Sequence, residues 1–195
     1  AVTKSIYEIA KIKIEMRDFY GASYTLERAE SLDVDKKVLE KIKLFTDGST
    51  FLMKKKIKKG VDILSQLIKK QNINEYIRPL AYSFRAYGYF CQCKYTHSLN
   101  DLDTLEKFGY ELDSASQYNK SLLEGVLACL NNRFEESLLK LGHAEKMRPT
   151  TADPSIYRGL TLITMHNRGS SSASLPPGDL LTMAIDALTQ SIEKE

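Results

Sequence analysis

Apolar side chains along this chain recur three and four residues apart, the period of a helix with one buried face. The segments YEIAKIKIEM, YGASYTLERAESL, KGVDILSQLIKK, RFEESLLKLGHAEKM and LLTMAIDALTQSI each carry such a stripe. Strict alternation of the strand kind is scarce. Pro79 is placed to begin a helix within its first turn, and Asp153-Pro154 reads as an N-cap followed by a first-turn proline. Asn131-Asn132 and Thr46-Asp47-Gly48 are weaker breaks, because a glycine inside a helix costs only about 1 kcal/mol. The chain is predicted to be all-α.

One helical pattern returns five times. A small residue followed four positions later by Leu occurs at Ala22/Leu26, Gly60/Leu64, Ser98/Leu102, Ser137/Leu141 and Ala184/Leu188, at separations of 38, 38, 39 and 47 residues. Three residues before each small position stands a large apolar one: Phe19, Ile57, Tyr95, Phe134 and Leu181. Upstream of each lies a second small residue, namely Ala10, Gly48, Gly88, Gly125 and Gly159. Small residues on both members of a helix pair let the two backbones approach closely. A single pair cannot bury its apolar face alone, so several must stack.

This pattern resembles the tetratricopeptide repeat, a helix-turn-helix unit of about 34 residues. RDFYGASYTLERAESLD and LEGVLACLNNRFEESLLKLGHAEKMRP fit best, the latter closing on Pro149. The early connections are longer than the family's, and its aromatic near the repeat start is often absent. The resemblance implies a right-handed α-solenoid of about five repeats and ten helices, forming a single domain over 1–195. The repeats are expected near 3–36, 41–75, 79–112, 118–151 and 152–195, with an insertion at 167–179 in the last.

Composition narrows the function classes. With 195 residues, 43% hydrophobic, the chain has material for one ordinary domain. Cationic and acidic residues number 28 and 25, so the net charge of +3 demands no polyanionic partner. Three cysteines do not make a disulfide scaffold and suggest a reducing compartment. A cytoplasmic setting is expected, with nuclear or ciliary ones as alternatives. No apolar run approaches the ~18 residues of a membrane span, and AVTKSIYEIAKIKIEM is too charged for a signal peptide, so no membrane partner is expected.

Catalytic and metal chemistry finds little footing. Cys91, Cys93 and His97 form a C-x-C-x3-H string. On one continuous helix the two thiols would point about 200° apart, which puts Cys91 in the core and Cys93 at the surface. His143 and His166 have no Cys, Asp or Glu grouping at ligand spacing, and no phosphate loop, nucleophile elbow or HExxH motif occurs. The expectation is a protein without enzymatic activity, cofactor or metal. The run KKKIKK over Lys54–Lys59 reads as a solvated turn with Ile57 turned inward, or as a nuclear-import or phosphate-binding patch. NRGSSSASLPPGD, over Asn167–Asp179, reads as a loop between the last two helices or a regulated serine-rich clip.

The family resemblance also implies a concave groove lined by the first helix of each repeat. Its mapped residues include Tyr7, Lys11, Phe45, Tyr82, Arg85, Tyr89, Leu122, Val126 and Tyr157. This surface is aromatic in the middle and aliphatic toward the C-terminus, suited to an apolar peptide or helix from a protein partner. It lacks the Lys and Asn set with which the family's co-chaperones clamp a carboxylate tail. Its few cations disfavour RNA. An adaptor or scaffold is therefore expected, with a structural subunit of a large cytoskeletal, ciliary or ribonucleoprotein assembly as the alternative. The last helix carries more apolar residues than one stripe needs, so Met183, Ala187 and Ile192 are expected to meet a further repeat, a second copy or a partner subunit.

Overall fold

The computed structural model describes residues 2–29, 36–70, 73, 75–170 and 178–194, with the side chains of 2–7, 28 and 29 outside that description. The described residues form ten helices and no strand: α1 (Val2–Glu15), α2 (Phe19–Ala29), α3 (Lys36–Met53), α4 (Ile57–Lys69), α5 (Ile77–Cys91), α6 (Tyr95–Lys107), α7 (Ser114–Leu130), α8 (Phe134–Met147), α9 (Asp153–Asn167) and α10 (Leu180–Ile192). Where a single domain is expected, they fall into two compact units, Ala1–Tyr110 and Glu111–Glu195. The first holds three helix pairs and the second holds two. The pairs follow the five repeats, although α3 begins at Lys36 and α7 at Ser114, about one helical turn earlier than the repeat spacing suggests. At the start of α7, Asp113 accepts the Ser116 N–H at 2.7 Å, a side-chain cap. Asp153 is not a cap. Ala152 holds that position, while Asp153 and Pro154 occupy the first turn of α9.

The same backbone closure ends the first helix of every pair. Arg17, Lys55, Cys93, Asn132 and Gly169 have φ of 58°, 58°, 56°, 61° and 62°. At each, two hydrogen bonds close the helix end. Arg17 N–H donates to the Ile14 carbonyl at 2.9 Å and Asp18 N–H to the Lys13 carbonyl at 2.8 Å. The corresponding donors Lys55 and Lys56, Cys93 and Lys94, Asn132 and Arg133, and Gly169 and Ser170 repeat the arrangement. This is the Schellman closure, in which a left-handed residue turns the chain and satisfies the orphan carbonyls.

The small residues of α3, α4, α7 and α9 act as the spacing requires, whereas a Cβ at Gly88 would meet Val61 and Leu52 of the preceding pair, so that Ala86 and not Gly88 meets Ser98. A Cβ added at Gly60 would lie 2.9 Å from the Gly48 carbonyl oxygen, so the α3 and α4 backbones touch where side chains are missing. A Cβ at Gly125 would lie 2.7 Å from Leu141 Cγ, and one at Gly159 2.7 Å from Leu188 Cγ. In these three pairs Leu64, Leu141 and Leu188, four residues after the small position, seal the crossing. Where the small residue four before the Leu is Ser, its hydroxyl is used. Ser98 Oγ donates to the Ala86 carbonyl at 2.7 Å, and Ser137 Oγ meets Thr161 Oγ1 at 3.1 Å.

The core of the first unit contains three phenylalanines edge to face. Phe19 lies 6.0 Å from Phe45 and 5.2 Å from Phe84, and Phe45 lies 5.7 Å from Phe84. Such pairs contribute about 0.5–1.5 kcal/mol each beyond area burial. In the second unit Phe134, Leu162, Met165, Leu180 and Ala184 form one buried cluster, with Leu138, Ile163 and Met183 packed against it.

Candidate functional site

Several residues assigned to the groove by repeat position belong instead to the interior. Phe45 is fully buried between Phe19 and Phe84, and Leu122 and Val126 are buried as well. Through α3 the whole mapped set of Ile42, Phe45, Thr46 and Ser49 is covered. The apolar character that suggested a binding surface serves packing there. The exposed residues of α3 are Lys36, Lys37 and Glu40 in its first turns and Met53 at its end, while Lys43, Asp47 and Thr50 are half-buried.

Arg85 is likewise occupied. It makes a bidentate pair with Asp101 of α6, Nε to Oδ2 at 2.8 Å and Nη2 to Oδ1 at 2.6 Å, and Nη1 reaches Ser65 Oγ at 3.3 Å. The two side chains are only 15% and 7% exposed. Tyr82 and Tyr89 flank the guanidinium at 5.4 and 5.5 Å from their ring centroids. Burial opposes the charge, but Asp101 and the two rings more than offset it, holding the guanidinium protonated. Arg85 therefore ties α5 to α6 and offers no free fork to a ligand.

The remaining mapped residues keep some surface. Lys11 is exposed with Nζ 4.9 Å over the Tyr76 ring, and Tyr76 donates to Glu15 at 3.4 Å. Burial and the Glu15 charge push the Tyr76 phenol up to about 12, so it stays protonated. Tyr82 and Tyr89 are half-buried, one against Phe108 and the other against His97. Tyr157 is half-buried in α9. The side chain of Tyr7 lies outside the described residues.

At the C-terminal helix the selection of contact residues needs correction. Ala187 is buried and Met183 packs against the unit's own cluster, whereas Ile192 is 73% exposed. The exposed apolar stripe of α10 is formed by Leu181, Ile185 and Ile192. At 100° per residue these three lie within about 40° of one another, roughly 110° round the helix from the buried set Leu180, Ala184, Ala187 and Ser191. Projecting the sequence at that angle separates the two sets, and this is the signal by which Leu181 and Ile185 can be found. Thr182 and Thr189, both exposed, border the stripe on the side away from the buried set.

The sulfur and imidazole groups are also placed differently from the helical expectation. Helix α5 ends at Cys91, Cys93 lies in the following turn, and both thiols are exposed. The first of them is thus not a core residue, because the helix stops before the second. Among the described residues no three His, Cys, Asp or Glu side chains are grouped so that they could hold a metal ion. A depression of about 390 Å³ in the second unit is lined by Asn132, Arg133, Phe134, Glu135, Glu136, Met165 and Ser170. Its arginine is already paired with Glu136 at 2.8 Å. The lysine run forms the exposed α3–α4 turn and the start of α4, with Ile57 packed against the core. Residues 171–177 of the serine-rich insertion lie outside the described residues; the segment falls between α9 and α10. No described helix is long and apolar enough to cross a membrane.

No protein-family model matches the chain, and no curated protein matches it. Solved structures do. YrrB, described as "a TPR protein with an unusual peptide-binding site", is 14% identical with a TM-score of 0.58, covering 98% of this chain and 90% of its own. MamA AMB-1 is 11% identical with a TM-score of 0.59, covering 99% and 98%. A double mutant of MamA RS-1 is 14% identical with a TM-score of 0.55, covering 98% and 93%. At such identities the likeness is one of fold. The fold is that of the tetratricopeptide α-solenoids.

Proposed function

We propose that the chain is a non-enzymatic interaction module, an adaptor or scaffold that takes an apolar peptide or amphipathic helix from a protein partner. The observation that carries this reading is the Leu181, Ile185 and Ile192 stripe, left open on a helix whose other face is buried. Three large aliphatic side chains aligned over eleven residues span about 17 Å, the length of three turns of a partner helix. Support comes from the fold, since YrrB is described with a peptide-binding site on the same scaffold. The half-buried Tyr157 of the same unit is a secondary contact residue in this reading, because a tyrosine carries large area and a polar end.

The test is affinity capture from the native source with the wild-type chain and an Ile185→Glu/Ile192→Glu variant, identified by mass spectrometry. Both positions are exposed, so helix content by circular dichroism should be unchanged. A partner captured by the wild type and lost from the variant supports the reading; an identical captured set for both rules it out. The alternative, a structural subunit whose α10 is permanently covered by a neighbouring subunit, predicts instead a stable stoichiometric complex from which the wild-type chain does not exchange.

A further inference from the structure

The net charge of the chain conceals a local concentration. Lys54, Lys55, Lys56, Lys58 and Lys59 occupy five of six consecutive positions, and all are exposed. Three form the α3–α4 turn and two lie in the first turn of α4, which contains no acidic residue. Cations at a helix N-terminus oppose the helix dipole, so this arrangement is unfavourable for α4 itself. Helix α8, at the same place in its own pair, has Glu135 and Glu136 there. Nearby carboxylates do not neutralise the run. Asp47 is shared between Lys43 and Lys59, and Asp18 accepts the Gly21 N–H as a cap at 2.8 Å. Among the described residues Lys54, Lys55, Lys56 and Lys58 enter no ion pair.

A second observation concerns the side chains beside these lysines. Met16 and Tyr20, at the α1–α2 turn, are each 74% exposed, and Met53, at the end of α3, is 60% exposed. Lys54 Nζ lies 6.0 Å from the Tyr20 ring centroid, so the two turns form one continuous edge. Arg17 in the first turn adds a further exposed cation. On this edge flexible thioethers and a phenol project from tight turns among ammonium groups.

We infer that this edge of the first unit docks on the surface of a bilayer bearing anionic headgroups, with the lysines among the phosphates and Met16, Tyr20 and Met53 entering the headgroup boundary. Both halves of the patch are needed for that assignment. A polybasic cluster is drawn to an anionic leaflet, and adjacent apolar and aromatic side chains gain from insertion at the interface. A soluble acidic protein or a nucleic acid accounts for the cations but leaves the two methionines in water. Lysines also lack the fork geometry by which arginine reads phosphates or bases. That no described helix is long and apolar enough to cross a membrane is compatible with lying on the surface.

The chain contains no tryptophan, so Met53→Trp introduces a single fluorescent reporter at the edge. The experiment is sedimentation of the full chain with vesicles of phosphatidylcholine and phosphatidylserine, and with phosphatidylcholine alone, together with emission from the Met53→Trp variant. Binding to the anionic vesicles only is expected, with a blue shift and quenching by lipids brominated in the acyl chains. Each lysine near the surface is worth about fivefold in partitioning, so Lys54→Gln/Lys55→Gln/Lys56→Gln should weaken binding on the order of a hundredfold. Met16→Ser/Met53→Ser should weaken it as well. The inference is overturned if the chain fails to sediment with anionic vesicles, or if it sediments without a shift in the reporter. It is equally overturned if polyglutamate or an oligonucleotide binds more tightly than the vesicles and the triple variant loses that binding. The edge would then belong to a soluble polyanion.

Discussion

The first unit closes its core with three phenylalanine rings and one buried ion pair, Arg85 with Asp101. The second places its strongest ionic cluster nearer the surface: Glu145 receives Arg158 at 2.5 Å, Lys194 at 2.7 Å and the buried Ser155 hydroxyl at 2.9 Å, and the three charged side chains keep about a fifth to a third of their exposure. Its interior polar contacts are between neutral groups, such as Ser137 with Thr161 and Tyr118 with Thr151. Yet the helix pairs of both units cross on the same small residues and share one turn geometry. The repeat therefore specifies where backbones meet and leaves the filling of the remaining space free. What fills that space decides how each unit responds to substitution and to acid.

The largest expected difference follows from the ion pairs. Arg85→Ala would leave Asp101 buried and unpaired, and should destabilise by about 3–5 kcal/mol in urea titration. Replacing both partners, as Arg85→Met/Asp101→Leu, should recover most of that loss. Arg158→Ala in the second unit should cost no more than about 1 kcal/mol, because its pair is partly solvated. If both single variants lose the same stability, the contrast between the units is mistaken.

At the small positions the units should behave alike. Ala22→Leu in the first and Gly125→Leu in the second each overpack a helix pair, at about 1–3 kcal/mol. Lys55→Glu, on an exposed turn, should stay within about 0.5 kcal/mol. Unchanged melting temperatures for Ala22→Leu and Gly125→Leu would show that the helices do not meet where the repeat places them.

Acid should separate the units again. Burial works against the charge of Glu145, but Lys194, Ser155 and Arg158 outweigh it and hold the carboxyl below the ordinary glutamate range. Its stabilising contribution is present at neutral pH and is lost as the pH falls below about 4.5 through the folded value. Amide protection in α8 and at the end of α10, taken relative to the intrinsic exchange rate at each pH, should therefore fall with acid, and Lys194→Ala should flatten that dependence. Protection in those helices that ignores pH, or a Lys194→Ala profile identical to the wild type, would remove Glu145 from this role.

What was legible in the sequence follows the same division. Ala10, Gly48, Ala22 and Gly60 announce the helix pairs because close approach admits only small side chains, and spacing alone displays them. Phe45 and Arg85 were misplaced because repeat position says which way a residue points only if the neighbouring helices leave that direction open. Phe84 and Phe19 close it for Phe45, and Asp101, sixteen residues away in sequence, closes it for Arg85. Cys91 was misplaced for a local reason: the left-handed turn at Cys93 ends the helix, and nothing about a cysteine signals φ of 56°. On α10 the surplus of apolar residues was visible, but choosing among them required the angular projection that puts Ala187 inward and Ile185 outward.

The smallest effect expected concerns those turns. A left-handed backbone costs a side-chain-bearing residue roughly 1–2 kcal/mol, partly cancelled by the greater entropy a glycine loses on folding. Lys55→Gly should then stabilise the first unit by about 0.5–1 kcal/mol, and Arg17→Gly similarly. Asn132→Gly in the second unit should gain only about a few tenths of that scale, since asparagine tolerates this conformation through its short polar side chain. Gly169 offers the reverse experiment. A Cβ there would meet nothing within 4 Å, so any loss on Gly169→Ala must come from its φ of 62° and not from crowding. Thermal unfolding of the four variants should rank Lys55→Gly and Arg17→Gly above wild type, Asn132→Gly near it and Gly169→Ala below. A Lys55→Gly variant less stable than the wild type would mean that the lysine side chain holds its turn by contacts that outweigh the backbone strain.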